Sequence, residues 1–252
     1  SGVATEIREY QMSATNPVEA DLGSMRPILK FSQTSSVHNG GTLKFGEDGY
    51  IYIATGDGAG QATWPQDLAQ PYGKVLRVDV NTDDYPDPLI NYGIPSDNPY
   101  INTPGAMKAV FHRGLRNPWK FGFDHAENNG FGGLFIGDVG AGQREEANFI
   151  APGTSGLNFG WPQWEGRRNR STGLDDPMPA GIHGPFFDYT HSVGVTALSG
   201  VVYRGTELGV DLWGCYLFGD TYGKWLIWPK MDFDLETGRL LTVIPTVSSL
   251  AT

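Results

Sequence analysis

The residues best able to do chemistry in this chain fall in three short segments. His38-Asn39-Gly40-Gly41 precedes one apolar run, and Asp57 closes the next in Thr55-Gly56-Asp57. A hairpin returns the chain to its starting end, so the two side chains are expected side by side. There a carboxylate fixes the tautomer of an imidazole and helps it take a proton. The pair is a candidate general base with its orienting group. A loop histidine beside a turn aspartate would have the same spacing, so spacing alone does not separate the two. Arg116-Asn117-Pro118-Trp119 adds a forked cation suited to a planar carboxylate, or to loop carbonyls if Arg116 is structural. Gly137 to Glu146 is a small-residue loop that ends in two carboxylates, and its carbonyls are the hard donors that Ca²⁺ prefers, although not with EF-hand spacing. Trp161 follows the Gly160 corner on the same rim, whereas Trp164, Trp213, Trp225 and Trp228 read as packing. His112, His125, His183 and His191 lack zinc-ligand spacing.

The elements that must position these groups read as strands. With 35 Gly, 17 Pro, 12% aromatic and only 18% charged residues, the chain is expected to be all-β, built of short strands and tight turns. Thr42–Phe45 and Tyr50–Thr55, joined through Asp48-Gly49, read as a hairpin, with a third strand at Lys74–Val80. A second sheet reads as Trp119–Phe123, Gly133–Gly137 and Glu146–Ile150. A third reads as Ser199–Tyr203, Cys215–Phe218, Lys224–Trp228 and Leu240–Ile244. Upstream, Ala4–Met12 and Arg26–Phe31 give two strands of an earlier sheet. Gly-Asp corners recur at Gly56-Asp57, Gly137-Asp138 and Gly219-Asp220. Counted as propeller blades, these are about three and a half four-stranded units, fewer than an ordinary closed ring contains. A partial propeller over 1–252 is therefore expected, its ring completed by missing segments or a second polypeptide.

The net charge of -10 argues against a nucleic-acid partner, and the short run Arg167, Arg168 and Arg170 reads as a solvated loop. Cys215 is the single cysteine, so an intrachain disulfide is excluded. A membrane span and a signal peptide are not expected from the hydropathy pattern.

Taken together, His38–Gly46, Thr55–Gly58, Gly73–Asp79, Gly114–Trp119, Gly137–Gly140 and Gly200–Gly205 resemble the glucose/sorbosone dehydrogenase family in order and separation. That family is one of six-bladed β-propellers, and it includes soluble sugar dehydrogenases and a hedgehog-interacting-protein-like branch. The resemblance implies pyrroloquinoline quinone (PQQ) and Ca²⁺ as cofactors, with His38 taking the proton of a sugar hydroxyl and Asp57 orienting it. It implies Arg116, Asn117, Glu145 and Lys224 as cofactor contacts, with Trp161 on the same rim, and the carbonyls of Gly140 and Ala141 as calcium ligands. It also implies an aldose substrate, an electron acceptor or cytochrome, and a periplasmic or extracellular setting. The resemblance further implies that about a hundred N-terminal residues and the closing C-terminal blade of such a ring are to be expected beyond this chain. The His-Asn-Gly-Gly and Tyr-Arg-Gly wording is nearer the hedgehog-interacting-protein-like branch, which implies a second possibility, a non-catalytic module that binds a protein or glycan.

Overall fold

The computed structural model describes residues 3–222, and beyond them only strands at 225–227, 230–233, 240–244 and 247–249. Lys224 and Trp228 lie outside the described residues. β1 (Ala4–Glu9) and β2 (Arg26–Ser32) pair antiparallel. β3 (Leu43–Phe45), β4 (Ile51–Thr55), β5 (Lys74–Val78) and β6 (Val110–Arg113) make a four-stranded antiparallel sheet in chain order. β7 (Pro118–Phe123), β8 (Leu134–Asp138) and β9 (Arg144–Ile150) begin a second. After the small hairpin β10 (Trp164–Glu165) and β11 (Arg168–Asn169), β12 (Phe187–Thr190) adds to β9 and completes it. β13 (Val201–Val202), β14 (Tyr216–Asp220) and β15 (Trp225–Ile227) begin a third sheet. β16 (Lys230–Phe233) pairs with β17 (Leu240–Ile244), and β18 (Val247–Ser249) closes the third sheet against β15.

The outer strands of the first two sheets, β6 and β12, carry no signal in the sequence, because each is four residues long and follows a long irregular connection. One assignment is corrected: Leu240–Ile244 is not the fourth strand of the third sheet. It pairs instead with the strand just before it in sequence, the usual outcome for neighbouring strands, and leaves the sheet edge to β18.

Every residue of β4, β5 and β8 is buried, so these strands are covered on both faces. Side chains alternate between the faces of a strand. On β4, Tyr52 and Ala54 join Val75, Phe111, Phe121, Leu134 and Ile136 in the core between the first and second sheets. Ile51 and Ile53 point the other way and join Ile28, Leu29, Leu76 and Val78 against the β1–β2 pair. On β8 the same alternation sends Phe135 to a third core with Tyr189, Tyr216 and Phe218. The sheets therefore stack face to face in chain order, and the loops at the ends of β4, β8 and β14 are carried on stiff elements.

Phe135 is 1% exposed and stacks on Tyr216 with ring centroids 4.7 Å apart. Phe135→Ala should cost about 3–5 kcal/mol, read as a lower denaturant midpoint with an unchanged slope. A loss under about 1 kcal/mol would mean that the second and third sheets do not share this core.

Candidate active site

Backbone contact brings the His-Asn-Gly-Gly and Thr-Gly-Asp segments together. A Cβ on Gly56 would lie 1.9 Å from the His38 carbonyl oxygen, and one on Gly40 (φ +67°) would lie 2.4 Å from that of Ala54. Only glycine allows so close an approach. The His38 carbonyl accepts from Gly58 N–H at 2.9 Å, which helps hold His38 itself at φ 56°, a conformation that side chains other than glycine seldom adopt.

Held this way, His38 Nδ1 lies 2.8 Å from Asp57 Oδ1, and its Nε2 lies 2.9 Å from the Nη2 of Arg116. A guanidinium only donates, so Nε2 accepts, and the imidazole is neutral with its proton on Nδ1, donated to Asp57. The Asp57 carboxylate also accepts from Ala59 N–H and from the Trp161 indole N–H, both at 2.9 Å. Burial works to raise its pKa, but the bonds from His38, Ala59 and Trp161 outweigh burial and hold it below the usual carboxylate range. Asp57 is thus an anion fixed at both oxygens. The His38 side chain keeps 23% of its surface exposed, which leaves the imidazole open to a visiting molecule.

Arg116 is aimed by the loop that follows β8. Its Nη1 donates to the Val139 carbonyl at 2.7 Å and to the Gly140 carbonyl. The backbone N–H groups of Arg116 and Asn117 bind the two oxygens of Asp138, and the Asn117 side chain accepts from Gly40 N–H at 3.1 Å. Asn117 therefore ties the Arg116 segment to the His38 loop. Trp161 lies beneath two cations, with the guanidinium carbons of Arg116 and Arg170 5.5 and 4.5 Å from its ring. The three Gly-Asp corners share one job, binding the segment that leads into the first strand of their own sheet. Asp138 does so through two N–H groups, Asp220 through Thr196 N–H, and Asp57 through the His38 side chain.

The structure brings His38, Asp57, Arg116, Asn117, Trp161 and Gly140 into one continuous set of contacts, whereas the Glu145 carboxylate is turned into the loop and away from them. Glu145 is fully buried, with its carboxylate taken by Gly140 N–H, Ala197 N–H and His191 Nε2. In this arrangement it holds the loop from within and has no open side toward a cofactor. Ala141 turns its N–H to Glu165, a residue the sequence reading did not single out. The arginine run is not merely solvated, since Arg167 is paired with Asp188 and Arg170 covers Trp161. No sequence signal marked Glu165 or Arg170, whose partners lie more than twenty residues away or across a corner.

Among the described residues there is no group of three or more His, Cys, Asp or Glu side chains placed to hold a metal. The Gly140 carbonyl faces Arg116, so Ca²⁺ there would have to displace a guanidinium. With that carbonyl already taken by a cation, Gly140 as placed here does not fit Ca²⁺. A polyanionic quinone fits the charge of the two forked cations, Arg116 and Arg170, that cover the buried Trp161 ring.

An imidazole backed by a carboxylate and faced by a guanidinium sits here at the end of stacked antiparallel sheets, and the chain is an all-β protein. The family model described as Glucose / Sorbosone dehydrogenase matches residues 3–228, and the chain belongs to that family. The HIPL2 protein of Arabidopsis thaliana is 28% identical over 93% of this chain and 36% of its own length. Human Hedgehog-interacting protein is 29% identical over 87% of the chain and 28% of its own length. The aldose sugar dehydrogenase YliI of Escherichia coli is 30% identical over 81% of the chain and 51% of its own length. The chain thus spans about half or less of these relatives. The PQQ-bound aldose sugar dehydrogenase from Streptomyces coelicolor superposes with a TM-score of 0.66 at 20% identity, over 96% of this chain and 58% of that one. The all-β, antiparallel fold is that of these sugar dehydrogenase propellers.

Asp138 and Glu146 are cross-strand partners, both buried. Burial pushes Asp138 up to about 7, against the N–H groups of Arg116 and Asn117 that favour its charge. Burial, then the nearby Asp138 charge, pushes Glu146 well above the carboxylate range. The folded pair therefore keeps a proton that unfolded carboxyls release near pH 4. The stability from this proton is fully present below about pH 4 and is lost as pH rises through about 7. Between about pH 4 and 7, stability should fall by about 1 kcal/mol per unit for each such carboxyl, and Glu146→Gln should flatten the slope. Melting temperatures that stay level across that range in the parent protein would show both carboxyls ionised throughout.

Proposed function

We propose that this chain is part of a PQQ-dependent sugar dehydrogenase in which His38 is the general base that takes the proton of the anomeric hydroxyl of an aldose. The observation that carries the reading is the partly exposed His38 imidazole itself, with Nδ1 fixed on Asp57 and Nε2 facing the Arg116 guanidinium. An incoming hydroxyl takes the place of Arg116 on Nε2, and the released guanidinium is then free to face an anionic or carbonyl oxygen. As Nε2 takes the O–H proton, electron density moves onto O1, and C1 can lose hydride to become the lactone carbon. Asp57 stabilises the imidazolium that results, because it is already held as an anion by Ala59 and Trp161. The quinone, when bound, supplies the two-electron acceptor. Arg116, Asn117 and Trp161 are the residues that would hold it, and an electron carrier or cytochrome would reoxidise it.

The three four-stranded sheets and the β1–β2 pair correspond in this reading to about three and a half blades of a ring that other segments complete. A periplasmic or extracellular location agrees with the same reading. A second reading, a partner-binding propeller, has its support in the similarity to Hedgehog-interacting protein.

In the full-length protein, His38→Ala should lower sugar oxidation about 10²- to 10⁴-fold while leaving quinone affinity near the parent value. Arg116→Ala should weaken quinone binding by about 1.5–3 kcal/mol, the scale of a charge-assisted hydrogen bond. Turnover together with quinone titration by absorbance separates the two effects. Oxidation at the parent rate in His38→Ala would remove the base assignment and leave the partner-binding reading.

A further inference from the structure

Glu165 lies in the β10–β11 hairpin, is 1% exposed, and has no part in the chemistry derived above. Its Oε1 accepts from four successive backbone N–H groups, those of Ala141, Gly142, Gln143 and Arg144, at 2.8, 2.8, 2.7 and 3.1 Å. Successive N–H groups curled round one point form an anion-binding nest, and here the anion is a side chain of the same chain. The loop cannot close in this way without Gly140, where a Cβ would fall 1.6 Å from the Arg144 carbonyl oxygen. With Ala141 N–H turned inward to Glu165, the Gly140 carbonyl of the same peptide faces outward and accepts from Arg116, while the Val139 carbonyl, the second acceptor of Arg116, belongs to the peptide whose N–H goes to Glu145. Arg116 in turn reaches His38 Nε2.

The other oxygen points the opposite way round the site. Glu165 Oε2 lies 3.8 Å from Nε of Arg170, whose guanidinium covers Trp161, and the Trp161 indole N–H holds Asp57, the partner of His38 Nδ1. Both nitrogens of the imidazole thus trace back to one buried carboxylate, by two separate routes.

We propose that Glu165 is a positioning residue of this site: by filling the 141–144 nest it sets the Gly140 carbonyl, one of the two that aim Arg116, and so helps fix the tautomer of His38. The effect on turnover rests on the dehydrogenase reading, whereas the effect on the His38 ring does not. In the absence of the carboxylate the four N–H groups lose their acceptor, and a small carboxylate such as formate is the probe that can re-enter the nest.

The test compares the full-length parent, Glu165→Gln and Glu165→Ala, the last with and without formate, using choline chloride at equal ionic strength as the salt control. Three readouts are taken: amide exchange at 141–144, ¹⁵N shifts of the His38 ring, and turnover. Expected are fast exchange at 141–144 in Glu165→Ala, a second His38 tautomer protonated on Nε2, and turnover about 10- to 100-fold down, the scale of a misplaced group. Formate should restore all three, choline chloride none, and Glu165→Gln should fall between parent and Glu165→Ala. If exchange rises at 141–144 while the His38 ring shifts stay parental, Glu165 only stabilises the loop and the proposal is overturned. If Glu165→Ala does not fold, Glu165→Gln decides by the same ring shifts. If the parent oxidises no sugar, the dehydrogenase reading fails, and the ring shifts still decide the role of Glu165.

Discussion

A carboxylate can stay buried only where hydrogen-bond donors or cations replace the water it gave up. Asp57, Asp138, Glu145, Glu146 and Glu165 are all buried near one end of the stacked sheets, and the loops there are arranged to supply those donors. Asp138 collects the N–H groups of Arg116 and Asn117, Glu145 those of Gly140 and Ala197, and Glu165 four in a row. Each bond that relieves a buried charge also fixes a piece of loop. The precision of the His38 surroundings follows from this electrostatic demand, since irregular backbone has no ladder of its own to hold it.

The sheets make that demand possible. Alternation along β4 and β8 sends neighbouring side chains into different cores, so each sheet is clamped on both faces and its strand ends cannot drift. Arg116 and His38 belong to different sheets and are 78 positions apart in sequence, yet their nitrogens meet at 2.9 Å. Contact across that separation is a property of the stack, and neither loop could provide it alone.

Much of this was legible in the sequence. Hairpin logic alone puts His38 beside Asp57, because a two-residue turn returns the chain, and the Gly-Asp corners mark where strands end. The strand order of the first two sheets was legible as far as the turns were short. What was not legible depends on partners far away in the chain. Nothing in the sequence around Glu165 announces the nest, since its donors are main-chain groups that any residue carries. Glu145 looked like a free acid beside a glycine loop, and only the fold shows its oxygens already taken. The outer strands β6 and β12 lack a hairpin turn before them, and leaving Leu240–Ile244 outside the third sheet is a choice between two local pairings that periodicity cannot rank.

The corner aspartates carry a further lesson. Asp138 and Asp220 each fasten their own sheet by gripping main-chain N–H groups, and Asp57 occupies the equivalent corner but grips an imidazole. The His38–Asp57 pair is therefore a fastening in which a single donor has been exchanged for a titratable one. The scaffold offers the same corner carboxyl twice more, already rigid. A histidine installed in the segment facing Asp220 would meet a carboxylate placed much as Asp57 is, which makes the repeat a template into which a second acid-base pair could be transplanted.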